Sequence, residues 1–80
     1  MYNYFSRTIQ SPEGEKNATF SPTYYGDVLY YSVKIDNVDQ FRMTRDDSSQ
    51  WKIAAQVLPI WVHEKELELH DMIEEEAENS

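Results

Sequence analysis

The chain has 80 residues, a net charge of −8 and no cysteine. This length supports one small domain, and the lack of cysteine excludes both disulfides and thiolate metal sites as sources of stability. Six tyrosines, three phenylalanines and two tryptophans must therefore supply much of the core. The negative charge disfavours direct binding to DNA or RNA, because the phosphates would be repelled.

The first ten residues are rich in aromatic and β-branched side chains, which favours a strand near residues 4–10 at an edge of the meander. The alternative is a loose arm whose aromatic side chains cover one end of the core. The first residues contain no basic region followed by an apolar run, so we expect no signal peptide. No stretch reaches the roughly 20 apolar residues that a membrane span needs. We therefore expect a cytoplasmic protein that does not associate with membranes.

Two segments before residue 28 contain residues that interrupt regular structure. Pro12, Gly14 and Asn17 predict a loop over residues 11–17. Pro22 lacks an N–H group, so the segment around it is expected to be an edge strand or an irregular connection. Gly26 and the residue after it predict a bend that leads into the first well-defined strand.

Alternation of apolar and polar residues then predicts three strands, over 28–36, 40–45 and 51–55. The intervening polar residues, including Asn37, are typical of tight turns. We therefore predict an α+β fold, in which an antiparallel β-meander of three to four strands precedes one C-terminal α-helix packed across one face. Residues 28–74 should form the firm core of a single domain.

The pattern changes to helical spacing after Pro59, which suits the first position of a helix. A stripe of apolar residues at this spacing should lie on the sheet, namely Val62, Leu69, Met72 and Ile73, with Trp61 and Ala77 at its margins. Leu67 falls on the opposite side. Glutamates in the last turn oppose the helix dipole, so residues 75–80 are expected to be a frayed acidic tail.

The two faces of the predicted meander differ in chemistry. Its odd-numbered face is apolar and meets the helix, whereas its even-numbered face carries Tyr30, Lys34, Arg42 and Lys52. One interpretation is an ordinary solvated surface. The other is an interaction face for an acidic or peptide partner, because three cations lie together in an otherwise acidic protein.

Four residues of the helix share one stripe and include two residue types that bind zinc: His63, Glu66, His70 and Glu74. The pattern does not continue as His-Glu-x-x-His, because Leu67 occupies the fourth position after His63. A solvated face with His–Glu pairs explains the stripe equally well. A metal-dependent enzyme is thus a weak alternative, and we expect no catalytic residues, no metal and no cofactor.

A possible apolar patch comprises Ile60, Trp61 and Leu67, provided that the three side chains are exposed together. Such a patch would suit a partner or self-association, so a monomer or a weak homodimer is expected. Trp61 could instead belong to the margin of the core.

The leading functional hypothesis is a small non-catalytic protein-interaction module with an unknown protein partner. The alternative is an acidic inhibitor that mimics nucleic acid and binds a basic groove of a partner protein. This alternative rests on where the negative charges lie, since eight of the fifteen acidic residues are between residues 62 and 80.

Overall fold

The computed structural model describes residues 2–55 and 57–79 as five antiparallel strands followed by two helices. The elements are β1 (Phe5–Ser11), β2 (Gly14–Tyr25), β3 (Val28–Ile35), β4 (Asp39–Arg45), β5 (Trp51–Ala54), α1 (Ile60–Glu64) and α2 (Glu66–Glu78). Each strand pairs with the next, so the sheet has the order β1-β2-β3-β4-β5. The predicted α+β meander with C-terminal helical structure is confirmed, with five strands instead of three to four.

The prediction of a loop over residues 11–17 is wrong. Ser11 ends β1 and Gly14 begins β2, so only two residues connect the strands. The Ser11 hydroxyl closes this turn, because it donates to the carbonyl oxygen of Gly14 over 2.8 Å and accepts from the N–H of Glu13 over 3.1 Å. Gly14 has a φ of 117°, a value that glycine adopts readily. The turn residues are thus concentrated in one tight hairpin, and the polar residues after them belong to a strand.

Pro22 lies inside β2, which pairs with β1 on one side and β3 on the other. The N–H of Asp36 donates to the carbonyl oxygen of Asn17, so odd-numbered residues of β2 direct their backbone groups toward β3. The backbone nitrogen of Pro22 therefore faces the β1 side. Pairing with β1 ends at Phe20, so the missing N–H of Pro22 costs no ladder hydrogen bond.

The two predicted turns of the meander contain the left-handed residues that such turns require. Asp36 and Asn37 have φ values of 51° and 61°, which fits a tight hairpin between β3 and β4. In the next turn the Asp46 carboxylate accepts from the backbone N–H groups of Ser48 and Gln50, over 2.9 and 3.0 Å. Ser49 has a φ of 65° there. Short polar side chains thus hold both reversals.

The core lies between one face of the sheet and the helices. Its buried residues are Phe5, Ile9, Ala18, Phe20, Tyr31, Val33, Ile35, Phe41, Met43, Trp51, Val62, Leu69, Met72 and Ile73. The helical stripe predicted from the sequence is therefore confirmed. Tyr31 is central, since its ring packs edge-on against Trp51 with centroids 5.3 Å apart and its hydroxyl donates to the carbonyl oxygen of Asn3.

The C-terminal region forms two helices rather than one. Pro59 precedes α1 as its N-cap instead of occupying its first position, and Lys65 separates α1 from α2. The second helix continues to Glu78 rather than ending near Glu75. Its end is held by Arg7, whose guanidinium lies 3.0 Å from a Glu76 carboxylate oxygen. This distant cation offsets the unfavourable dipole that the local sequence indicated.

Candidate functional site

The helices cover one face of the sheet and leave the other open, as the even-numbered pattern of the meander predicted. On this open face Tyr30 lies opposite Thr44 and Arg42 lies opposite Ser32. The Arg42 guanidinium carbon is 4.7 Å from the centroid of the Tyr30 ring, a cation–π contact. The pair leaves the charge of Arg42 exposed while holding its side chain against the sheet.

The other two predicted cations occupy the same face, on either side of Arg42. Lys34 lies on β3 opposite Gln40, and Lys52 lies on β5 opposite Thr44. The ammonium of Lys52 is 3.9 Å from a carboxylate oxygen of Glu66, so its charge is partly compensated. The open-face positions of β3, β4 and β5 hold these three cations and no carboxylate.

Two shallow grooves flank the Tyr30–Arg42 pair. One has a volume of about 340 Å³ and is lined by Thr23, Tyr30, Ser32, Gln40, Phe41 and Arg42. The other has a volume of about 460 Å³ and is lined by Tyr25, Val28, Tyr30, Arg42 and Thr44. Hydroxyl and amide groups, the rings of Tyr25 and Tyr30, and the guanidinium of Arg42 thus lie together on a shallow surface. Such a surface suits recognition of an extended segment better than enclosure of a small substrate.

The stripe predicted as a weak zinc site has a different role in the structure. Its members Glu66 and His70 face the outer edge of β5, where they accept hydrogen bonds from the backbone. The N–H of Ile53 donates to a Glu66 carboxylate oxygen over 2.9 Å, and the N–H of Trp51 donates to Nδ1 of His70 over 3.0 Å. For Nδ1 to accept, the neutral ring carries its proton on Nε2. The two side chains therefore cap the edge of the sheet.

Helix and strand geometry explain why Glu66 and His70 fit this edge. Four residues advance a helix by about 6 Å, and two residues advance an antiparallel strand by about 6.8 Å. Outward N–H groups recur every second residue along an edge strand. Acceptors at positions i and i+4 of α2 therefore match the outward N–H groups of Ile53 and Trp51.

The remaining members of the stripe also have other surroundings. Glu74 accepts from the guanidinium of Arg45 over 3.3 Å and from the hydroxyl of Tyr2 over 3.4 Å, whereas His63 is exposed. Burial, followed by the negative charge of Glu74, raises the pKa of Tyr2. Among residues 2–55 and 57–79, no three His, Cys, Asp or Glu side chains are grouped as metal ligands would be.

Sequence reasoning found this stripe by its spacing but missed its contacts. Edge capping depends on which strand lies beside the helix, and helical periodicity does not contain that information. One signal was present in the sequence. β5 contains no proline and no charged residue other than Lys52, so its edge needs protection from another part of the chain.

The possible apolar patch is smaller than predicted. Ile60 and Leu67 are exposed, with 78% and 61% of their surface accessible, but Trp61 packs partly against the core. Trp61, the largest of the three side chains, therefore contributes only part of its surface to the predicted patch.

An acidic ridge forms the outward side of α2. Glu68, Asp71, Glu75 and Glu78 are exposed and recur at intervals of three or four residues, which places them on one line along the helix. Two of these carboxylates are partly neutralised, Glu68 by Lys65 at 3.2 Å and Glu75 by Arg7 at 3.5 Å, as Glu76 is by Arg7 and Glu74 by Arg45. The protein is thus polarised, with cations on the open face of the sheet and carboxylates on the helix.

Comparison with family models, with curated proteins and with solved structures found no match for this chain. In the described parts of the chain, no helix combines the length and apolar character required to cross a membrane.

Proposed function

We propose that the protein is a small non-catalytic interaction module of the cytoplasm, and that the open face of its sheet binds an acidic segment of a protein partner. The observation that carries the proposal is the Tyr30–Arg42 pair, which has a shallow groove on each side. Lys34 and Lys52 add positive charge beside it.

The chemistry of the open face supports this class of partner. Arginine presents several N–H donors in a planar arrangement that matches a carboxylate, and the tyrosine ring limits how far its side chain moves. Hydroxyl and amide side chains line the first groove and can bond to a peptide backbone. Charges exposed on a rim mainly accelerate and orient association, so the interaction should weaken as salt increases.

The test compares the proteins captured from native lysate by wild type and by two charge-matched variants. Lys34→Glu/Arg42→Glu reverses two charges on the open face. Lys16→Glu/Lys65→Glu reverses the same number of charges elsewhere and serves as the control. The proposal expects partners that are lost only with the first variant. Identical captured proteins with all three would refute it.

The second candidate, an acidic inhibitor, is favoured by one observation. The ridge of Glu68, Asp71, Glu75 and Glu78 places four carboxylates in one line, with Cβ atoms about 5–6 Å apart, and a row of negative charges is what a nucleic-acid strand also presents. A partner would then be a nucleic-acid-binding protein with a basic groove. Glu68→Gln/Asp71→Asn/Glu75→Gln should abolish binding to such a protein, whereas the Lys34→Glu/Arg42→Glu variant should still bind.

A further inference from the structure

The two edges of the sheet are treated differently. At β5, Glu66 and His70 accept hydrogen bonds from the outward N–H groups of Ile53 and Trp51. At β1, by contrast, no side chain or backbone group of the described residues bonds to the outer edge of the strand. An unpaired strand edge is a template for another strand.

The register identifies the free groups of β1. The bond from Asp36 to Asn17 shows that odd-numbered residues of β2 direct their backbone groups toward β3, so even-numbered residues direct theirs toward β1. The even-numbered residues Phe20, Ala18 and Lys16 pair with Phe5, Arg7 and Ile9, whose backbone groups therefore point toward β2. The backbone groups of the residues between these pairs therefore point outward. These residues are Ser6, Thr8 and Gln10, and all three are exposed.

The strand lacks the usual protection of an edge. It is seven residues long and contains no proline, and each of its residues pairs with one residue of β2 without a bulge. Its one charged residue, Arg7, has its guanidinium 3.0 Å from Glu76 and does not cover the edge. Small polar side chains at Ser6 and Thr8 leave room for an added strand.

Charge selects the partner. The end of α2 reaches β1, since Arg7 lies 3.0 Å from Glu76 and 3.5 Å from Glu75. The Glu75 side chain remains 61% exposed, and the negative end of the helix dipole adds to its field. A second copy of this chain would bring another acidic helix to the same place and be repelled, whereas a cationic segment would be attracted.

We propose that the outer edge of β1 is a strand-addition site for an extended basic peptide segment. The backbone groups of Ser6, Thr8 and Gln10 supply the hydrogen bonds, and the carboxylates at the end of α2 select cations in the segment. This mode of recognition combines backbone pairing for affinity with side chains for specificity. It uses neither Tyr30 nor Arg42, so it is independent of the function proposed above.

The test uses capped peptides of about ten residues, long enough to span the strand, and NMR of the intact protein. The probe alternates lysine and valine. One control peptide alternates glutamate and valine, and another is the lysine peptide with an N-methyl group on every residue, which removes the inter-strand donors on both edges but keeps the charge. The lysine peptide should shift the amide signals of Ser6, Thr8 and Gln10 and slow their hydrogen exchange. Because several backbone hydrogen bonds are lost, the N-methylated peptide should bind about tenfold more weakly or worse.

A protein variant tests the same site independently. Thr8→Pro removes an outward N–H without removing a bond to β2, so it should block the peptide while the other amide signals keep their positions. Should that variant fail to fold, Glu75→Gln/Glu78→Gln leaves the backbone unchanged and should weaken binding of the lysine peptide. Three results would each overturn the proposal. They are equal affinity for the lysine peptide with and without N-methyl groups, amide shifts confined to α2, and dimerisation through β1 in the absence of peptide. Lys34→Glu/Arg42→Glu should bind the lysine peptide as well as wild type does, which separates this site from the open face.

Discussion

The N–H group of Trp51 donates a hydrogen bond to Nδ1 of His70 over 3.0 Å, and this contact joins the edge of the sheet to the C-terminal helix. Trp51 is buried and packs against Tyr31, so its position determines how β5 meets the core. A histidine that resembled a metal ligand in the sequence is thus an acceptor for backbone in the structure. The contact also shields β5 from pairing with other chains.

Removal of this acceptor should destabilise the fold. His70→Ala leaves the N–H of Trp51 without its acceptor and should lower the free energy of unfolding by about 1 kcal/mol or more. His70→Asn is the matched variant, because its side-chain oxygen lies near the position of Nδ1, and it should recover part of the loss. Urea unfolding of the three proteins measures the difference. Equal stability of the alanine and asparagine variants would show that the hydrogen bond contributes little.

Removal of both caps should change association as well as stability. In Glu66→Ala/His70→Ala the outward N–H groups of Ile53 and Trp51 become available to another chain. Sedimentation velocity should then detect stronger concentration-dependent association than wild type shows. Glu66→Gln/His70→Asn keeps an acceptor at both positions and is the control. If the double alanine variant sediments as the control does, the caps do not protect the edge.

The sequence was sufficient to predict β3, β4, β5 and the buried helical stripe, because each depends on local periodicity. It was insufficient for β2, since the tolerance of Pro22 depends on where β1 stops. The continuation of α2 to Glu78 was also missed, because its support comes from Arg7, nearly seventy residues earlier in the chain. The cations of the open face were located correctly by alternation alone. The role of His70 required knowledge of which edge lies beside α2.

Tyr31 should make stability depend on alkaline pH. Burial raises the pKa of Tyr31 to about 12 from its ordinary 10.0, so the folded protein holds the phenolic proton more tightly than the unfolded chain does. This contribution to stability is complete below pH 10.0 and is lost as the pH rises toward about 12. Tyr31→Phe cannot ionise, so its urea stability should fall less over that interval.

The phenylalanine variant also loses the hydrogen bond to the carbonyl oxygen of Asn3, which should cost about 1 kcal/mol below pH 10.0. An alkaline decline as steep in the variant as in wild type would assign the titration to other groups.

Asp46 should make stability depend on acid. The N–H of Gln50 and the hydroxyl and N–H of Ser48 bond to its carboxylate and hold the pKa of Asp46 below its ordinary 3.8. The stabilisation is therefore present above pH 3.8 and is lost as the pH falls through the lower pKa of the folded state. Asp46→Asn cannot titrate, and its thermal midpoint should decline less over the same acidic interval. A parallel decline in both proteins would contradict this assignment.

The open face can be tested directly by titrating the protein with the peptide that alternates glutamate and valine while recording the NMR signals of its amides and of the Arg42 guanidinium. Binding of an acidic segment there should shift Tyr30, Lys34 and Arg42, weaken with added salt, and be lost in Lys34→Glu/Arg42→Glu but kept in Lys16→Glu/Lys65→Glu. Absence of shifts on the open face, or equal binding by the two charge-reversed variants, would contradict the proposal that this face recognises an acidic partner.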